Sequence, residues 1–368
     1  MTEAQAASIL TIALAAVVAN WRRLCREAAT AEVAAVVKAD AYGLGAGGVA
    51  AALADAGCRS FFVAHCAEAL ALRRALPEAM IYVLHGLLPG EAAAAMAARL
   101  VPVLNNPAQI DAWAALGRSG PPLPAVLHLD TGMTRLGLLE HEAAALATDP
   151  SRLAGIELTL LMSHLVASEE SAHPLNRQQL DRFHRLLGQF PPLPASLANS
   201  SGIFLGPEYH FAMVRPGVAL YGVNPLPGRP NPMAQVVHLQ GRILQVHRVD
   251  SARTVGYGAT HLTSGPARIA TVGAGYADGY LRSLGNRGFA SVGGVRVPVV
   301  GRVSMDLITL DVSALAPGEA APGTLVDLIG GGVDIDALAD AAGTNAYELL
   351  TRLGPRYRRV YKSAAPAA

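Results

Sequence analysis

The chain reads as an α/β protein: an N-terminal (β/α)8 TIM barrel followed by a mainly β domain. Three observations carry this. Eight short apolar runs alternate with helical stretches between Val33 and Tyr221, the pattern of buried parallel strands joined by crossover helices. Beyond Pro225-Leu226-Pro227 the texture changes to Val- and Ile-rich segments punctuated by Gly and Pro. No G-x-G-x-x-G follows a first strand, which counts against the open, doubly wound sheet.

In chain order, residues 8–12 read as a short strand, available to the C-terminal domain, and 14–28 as an amphipathic helix with Arg22, Arg23 and Arg26 on its polar side. Ala13 stands where a capping Asp, Ser or Thr is expected, so this helix start is weakly specified. The apolar run 33–38 precedes helical 46–56, which ends at Gly57, and 61–66 precedes 67–76, which ends at Pro77. Then come 80–86 with 89–100, 101–105 with 107–116, 124–130 with 140–147, and 156–164 with 176–187. Residues 194–200 lead into a Gly-containing turn, and 213–221 supply an eighth, Gly-interrupted strand. The Pro/Gly-rich 225–232 is the natural linker, which divides the chain into 1–228 and 229–368. In the second part, 235–246, 267–272, 290–300, 307–312 and 324–329 are strand-like, whereas 333–342 and 346–353 read as helices.

Composition narrows the function. Of the 368 residues 52% are hydrophobic and 15% charged, enough for a large core, and the net charge of +1 signals no basic face for nucleic acid or an anionic membrane. Cys25, Cys58 and Cys66 are an odd count without C-x-x-C spacing, so neither a disulfide framework nor a zinc site is indicated. Residues 1–7 contain Glu3 and no basic region, and the apolar run 10–19 is too short to span a bilayer; a soluble, cytoplasmic protein is expected.

In a barrel of this kind chemistry collects where strands end. Lys38, Asn105, Asp130 with Arg135, His164, Asn199 with Ser200, and Arg215 stand at the ends of six runs. Each has a plain structural reading, Lys38 as a strand-end lysine reaching water and His164 as a satisfied core histidine. Together they describe a pocket for an anionic, amine-bearing ligand. Asn199-Ser200-Ser201-Gly202 and Arg215-Pro216-Gly217-Val218 lie after the seventh strand and within the eighth, where barrels commonly hold phosphate on backbone N–H groups. A desolvated lysine and a phosphate cradle are what pyridoxal 5′-phosphate requires.

The run Val36-Val37-Lys38-Ala39-Asp40-Ala41-Tyr42-Gly43-Leu44-Gly45 resembles the cofactor-lysine motif of bacterial alanine racemases. The resemblance continues through His128-Leu-Asp130-Thr-Gly-Met-Thr-Arg135, Met162-Ser-His164, Ala198-Asn-Ser200, Met213-Val-Arg215-Pro-Gly217-Val218, Val255-Gly-Tyr257-Gly, Gly275-Tyr276-Ala-Asp278 and Gly301-Arg-Val-Ser-Met305-Asp306. It implies a pyridoxal-phosphate-dependent isomerase that interconverts L- and D-alanine, either supplying D-alanine for peptidoglycan or catabolising alanine. Lys38 would bind the cofactor and act as one base. Tyr257, reaching across a homodimer interface, would be the base on the opposite face, tuned by His164 and Arg215; a free tyrosine titrates at about pH 10. Arg215 would face the pyridine nitrogen and, donating without giving up a proton, would make the ring a poorer electron sink. Tyr42, Ser200, Gly217 and Val218 would bind the phosphate. Arg135 would pair with the substrate carboxylate, helped by Met305, with Tyr276 and Asp306 at a narrow entrance.

Two positions depart from the family pattern. Where many members carry a carbamylated lysine that orients the arginine, this chain has His128, so an anion such as chloride, or His128 itself, is expected to position Arg135. Where many members place a C-terminal phosphate-binding tyrosine, this chain has Pro355; either Tyr357 takes over that task or it packs structurally. A broader-specificity amino-acid racemase on the same scaffold is the alternative function. A barrel-type decarboxylase would need a C-terminal cysteine, yet the last is Cys66, and a non-catalytic cofactor-binding barrel would lack the domain that carries Tyr257.

Overall fold

The computed structural model describes residues 5–363; Glu3, and with it the reading of the first residues, lies outside the described residues. The parallel strands are Glu32–Val33, Ala35–Val36, Ser60–Val63, Met80–Val83, Val101–Leu104, Leu123–His128, Ile156–Met162, Ala195–Ser196 and Met213–Val214. They form one nine-segment sheet whose two ends are Glu32–Val33 and Ala35–Val36. Those two are consecutive pieces of one strand, so the nine segments make eight strands and the sheet closes on itself. The seam is stitched by the Ala34 amide donating to the Val214 carbonyl and the Val36 amide to Pro216, both at 3.0 Å. The barrel expectation is met. Ser60–Val63 and Val101–Leu104 are buried at every residue, between the barrel interior and the outer helices, which is why residues 61–63 and 101–104 are continuously apolar.

Three local expectations need correction. The eighth strand stops at Val214: Pro216 has no N–H to continue a ladder, and residues Val218–Tyr221 instead wind into a 3-10 turn. The segment 290–300 is a hairpin, Phe289–Val292 against Val295–Pro298. Gly293 and Gly294, at φ +55° and +86°, supply the two positive φ angles a tight two-residue turn demands. Between Pro89 and Leu100 only Ala92–Ala97 is α-helical. The weak start of helix Leu14–Glu27 is as read, since Ala13 offers no side-chain cap.

The C-terminal sheet runs in the order Val295–Pro298, Phe289–Val292, Leu325–Ile329, Val237–Val249, Ser8–Ala13, Arg358–Lys362, with Ala267–Val272 and Ile308–Asp311 branching from Val237–Val249. Ser8–Ala13 lies antiparallel to Val237–Val249 and parallel to Arg358–Lys362, so the first strand of the chain belongs to the last sheet. Helix Ile335–Ala342 is capped by the Asp334 carboxylate and closed by Gly343 in the left-handed region. Helix Ala346–Thr351 follows and packs on the turn that carries Lys38. One buried apolar cluster extends from Leu10 through both halves to Tyr357. Among the described residues no helix is long and apolar enough to cross a membrane.

Candidate active site

Every barrel strand delivers a polar group just past its C-terminal end: Lys38, His65, His85, Asn105, Asp130, His164, Ser200 and Arg215. Six of these are expected from the sequence; His65 and His85, with rings 6.3 Å apart, are the additional pair.

Lys38 opens a turn unlike a normal helix. Ala39, Asp40, Ala41 and Tyr42 all have φ between +52° and +55°, four consecutive non-glycine residues in the left-handed region. Each such residue costs roughly 1–2 kcal/mol, and the surroundings compensate by tying the turn down. The Asp40 carboxylate accepts from the Ala46 amide at 2.7 Å, and the Ala41 amide donates to Val37 at 2.9 Å. Arg359 donates to the Gly43 carbonyl at 2.6 Å, and the Tyr361 hydroxyl to that of Leu44 at 3.0 Å. Gly43 is required because a Cβ there would strike the Leu350 carbonyl. The Lys38 amine is pulled below its ordinary value, first by desolvation and then by the Arg135 charge, while Glu68 pushes it back up.

Arg215 is buried under the mouth. It donates to the Ser196 hydroxyl and the Ser163 carbonyl, and its guanidinium lies 5.9 Å over the Phe62 ring. Ser196 and Ser163 are partners of Arg215 that the sequence did not single out, for nothing distinguishes them from ordinary strand-end serines. Burial followed by the charges of Arg215, Arg135 and Lys38 holds His164 well below the usual imidazole range, so it is neutral. His128 is likewise pushed down, to about 4, by desolvation and then Arg215. The Asn105 amide donates to the carbonyls of Leu84 at 2.9 Å and Val103 at 2.8 Å, which turns its oxygen to His128 Nδ1 at 2.8 Å. His128 is therefore the Nδ1–H tautomer with Nε2 left as an acceptor. Asp130 is spent on its own loop, accepting from the amides of Gly132, Met133 and Thr134. Arg135, exposed at the rim, makes no hydrogen bond or ion pair among the described residues, and none joins it to His128.

The two Gly turns come together. The Ser200 hydroxyl accepts from the amides of Gly217 at 3.0 Å and Ala219 at 3.2 Å. The Tyr42 side chain closes this cradle: a Cβ on Gly217 would meet its hydroxyl and stand 3.0 Å from Cζ. Tyr42 is held between the rings of Tyr221, 4.9 Å away, and Tyr347, 6.1 Å away. Val218 opens the 3-10 turn beside it.

Tyr257, Tyr276, Met305 and Asp306 lie in the C-terminal domain, and their contacts run within its loops. Tyr257 is 72% exposed and Met305 54%. The Tyr276 amide donates to Ser304, the next amide to the Met305 carbonyl, and Asp306 pairs with Arg356 at 2.7 Å. The glycines flanking Tyr257 pack on Arg302. Tyr357 is buried beside Asp278 and Tyr280, its hydroxyl without a partner and its pKa raised by burial, which is the packing alternative.

Residues 12–225 match the family model for the alanine racemase N-terminal domain and residues 236–361 that for the C-terminal domain. An alanine racemase of Rhodospirillum rubrum is 52% identical over 98% of this chain and 97% of its own length. A catabolic alanine racemase of Mesorhizobium japonicum is 50% identical over 98% and 95%. Among solved structures, the alanine racemase of Bartonella henselae with covalently bound pyridoxal phosphate has a TM-score of 0.93 at 40% identity, covering 97% of this chain and 99% of that one. With both halves matched and relatives aligned end to end, the chain belongs to the alanine racemase family.

Proposed function

We propose that the chain interconverts L- and D-alanine with pyridoxal 5′-phosphate, as a homodimer in which each subunit completes the other's site. The observation that carries this is the desolvated Lys38 amine presented over a barrel mouth that also holds the Ser200–Gly217 cradle and Arg215. The residues fit the cofactor: an amine of lowered basicity for its aldehyde, a glycine whose missing Cβ keeps the cradle open, and a buried cation for the ring. When bound, the cofactor would acidify the Cα proton by delocalising its electron pair.

The protein's own part is proton placement. Lys38 Nζ takes or returns a proton on one face of Cα, and Tyr257 Oη of a second subunit does so on the other. The 72% exposure of Tyr257 supports its service to a neighbouring copy. Arg215, cationic though lowered by burial, would face the ring nitrogen of the bound cofactor and donate to it without surrendering a proton. His164 and Arg215 tune the site, Tyr42, Ser200, Gly217 and Val218 hold the phosphate, and Met305, Tyr276 and Asp306 narrow the entrance. Arg135, free of protein partners at the rim, takes the carboxylate. The Nε2 acceptor of His128, fixed by Asn105, is the support we assign to Arg135, a bound anion being the other candidate. The barrel unit is 1–228 apart from its first strand, Ser8–Ala13, which joins the sheet of the unit supplying Tyr257, 229–368.

The test is a racemisation assay with L-alanine, L-serine and L-lysine on the cofactor-loaded protein, alongside the absorption spectrum of Lys38→Ala. Alanine turnover far above the other two and loss of the bound cofactor's visible band are expected. An unchanged band in Lys38→Ala would refute the lysine assignment, and serine or lysine turned over as fast as alanine would favour the broader-specificity racemase.

A further inference from the structure

The carboxylate of Glu68 joins two barrel units at the lysine turn. One oxygen accepts from the Ala39 amide at 2.7 Å and the other from the Ala64 amide at 2.7 Å. Ala64 follows strand Ser60–Val63, and Glu68 sits in the first turn of helix Cys66–Ala75. Capping its own helix would need only a bond to that helix's N-terminal region. The bond to Ala39 crosses to the neighbouring strand end and grips the first left-handed residue after Lys38. The charged and titratable groups facing Lys38 are Arg135, from the loop after Leu123–His128, His164, after Ile156–Met162, and Glu68. Asp40, in the same turn, is turned away to the Ala46 amide. Glu68 is thus the acidic group whose charge acts on the amine.

We propose that Glu68 is a positioning residue for Lys38: its carboxylate clips the left-handed turn at Ala39 and sets a compensating negative charge beside the amine. Without the clip nothing from the neighbouring unit holds the Ala39 amide, and the direction in which Lys38 leaves the strand loosens. Without the charge, desolvation and Arg135 act on the amine unopposed. The inference rests on reading Lys38 as the cofactor-binding amine.

The chain has two lysines, Lys38 and the exposed Lys362, which makes the test unusually clean. Full-length protein freed of cofactor is acylated with limiting acetic anhydride across a pH series, and the two lysine peptides are followed by mass spectrometry. Glu68→Gln, which keeps the side-chain volume and one oxygen acceptor, should move the Lys38 midpoint down by about half to one pH unit and leave Lys362 in place. Glu68→Ala should in addition speed hydrogen exchange at the Ala39 amide about tenfold or more. A fall in melting temperature with the Lys38 midpoint unmoved would reduce Glu68 to a helix cap and overturn the proposal. Should a variant not fold, the wild-type protein decides: one carboxylate holding both amides requires Ala39 and Ala64 to be protected together. An unprotected Ala39 beside a protected Ala64 overturns it. If instead Lys38 were not the cofactor's amine, Lys38→Ala would keep the visible band while the acylation profile still moved with Glu68.

Discussion

Gly217→Ala should damage cofactor binding through Tyr42, and the structure gives the size of the effect. The added Cβ would collide with the Tyr42 hydroxyl and lie 3.0 Å from Cζ, tighter than nine in ten real Cβ contacts would tolerate even at the farther atom. Tyr42 cannot simply yield. Its backbone is fixed at φ +55°, and its ring is buried between Tyr221 and Tyr347. Overpacking of this kind costs about 1–3 kcal/mol, and loosening either amide bond to Ser200 adds about 1 kcal/mol. The two together come to about 2–4 kcal/mol, and affinity changes tenfold for about 1.4 kcal/mol, so the Kd for pyridoxal 5′-phosphate should rise about 30- to 700-fold. The assay is titration of the cofactor-free protein, read by visible absorbance, with melting temperature in parallel. Adding Tyr42→Phe to Gly217→Ala removes the clashing hydroxyl and should recover part of the stability but none of the affinity, because a phosphate donor is gone. Gly47→Ala is the matched control: it lies in helix Ala46–Asp55 with open space around its Cβ position. It should stabilise the helix by about 0.5–1 kcal/mol. Wild-type affinity in Gly217→Ala would refute the cradle, and a fall in stability without a fall in affinity would make Gly217 a packing residue only.

Tyr257→Phe keeps the ring and removes only the hydroxyl, so it should change the melting temperature little while slowing solvent-deuterium exchange into one enantiomer of alanine far more than into the other. Equal, mild slowing of both would count against two bases on opposite faces. His128 is neutral in the folded state, with its pKa down to about 4, against about 6.5 when unfolded. The unfolded chain therefore binds the extra proton. The stabilisation is complete above pH 6.5 and is lost as pH falls toward 4, about 3 kcal/mol in all. Urea unfolding of His128→Asn should lack that part of the pH dependence; identical slopes in both proteins would remove the assignment. Asn105→Ala frees the His128 ring and should raise KM for alanine with little change in kcat, whereas restoration of KM by added chloride alone would assign Arg135's support to an anion.

Much of the site was legible because barrel geometry is periodic in the sequence. The apolar runs end at the barrel mouth, so Lys38, His164 and Arg215 could be placed together there from the sequence alone. His65 and His85 sit at equivalent ends but inside runs read one or two residues long. Glu68 and Tyr347 left no signal: a helix-turn glutamate looks like an ordinary cap, and a tyrosine about three hundred residues after Tyr42 gives no hint of packing against it.

The sequence by itself determined the alternation of strand and helix, the change to β structure after Pro225, and the chemical inventory, because burial on two faces and turn chemistry write themselves into residue type. Only the tertiary structure decided the rest. The left-handed turn at residues 39–42 is not dictated by residue type, since alanine, aspartate and tyrosine all prefer other conformations; beside its own bonds to Val37 and Ala46, Glu68, Arg359 and Tyr361 hold it from distant parts of the chain. The eighth strand stops short of Pro216, and the residues beyond it form a cradle because the Ser200 hydroxyl accepts from the Gly217 and Ala219 amides. His128 acquired a single tautomer because Asn105 had already spent both its protons on carbonyls. Each of these rests in part on hydrogen bonds between separate strand ends or loops, which local pattern cannot carry.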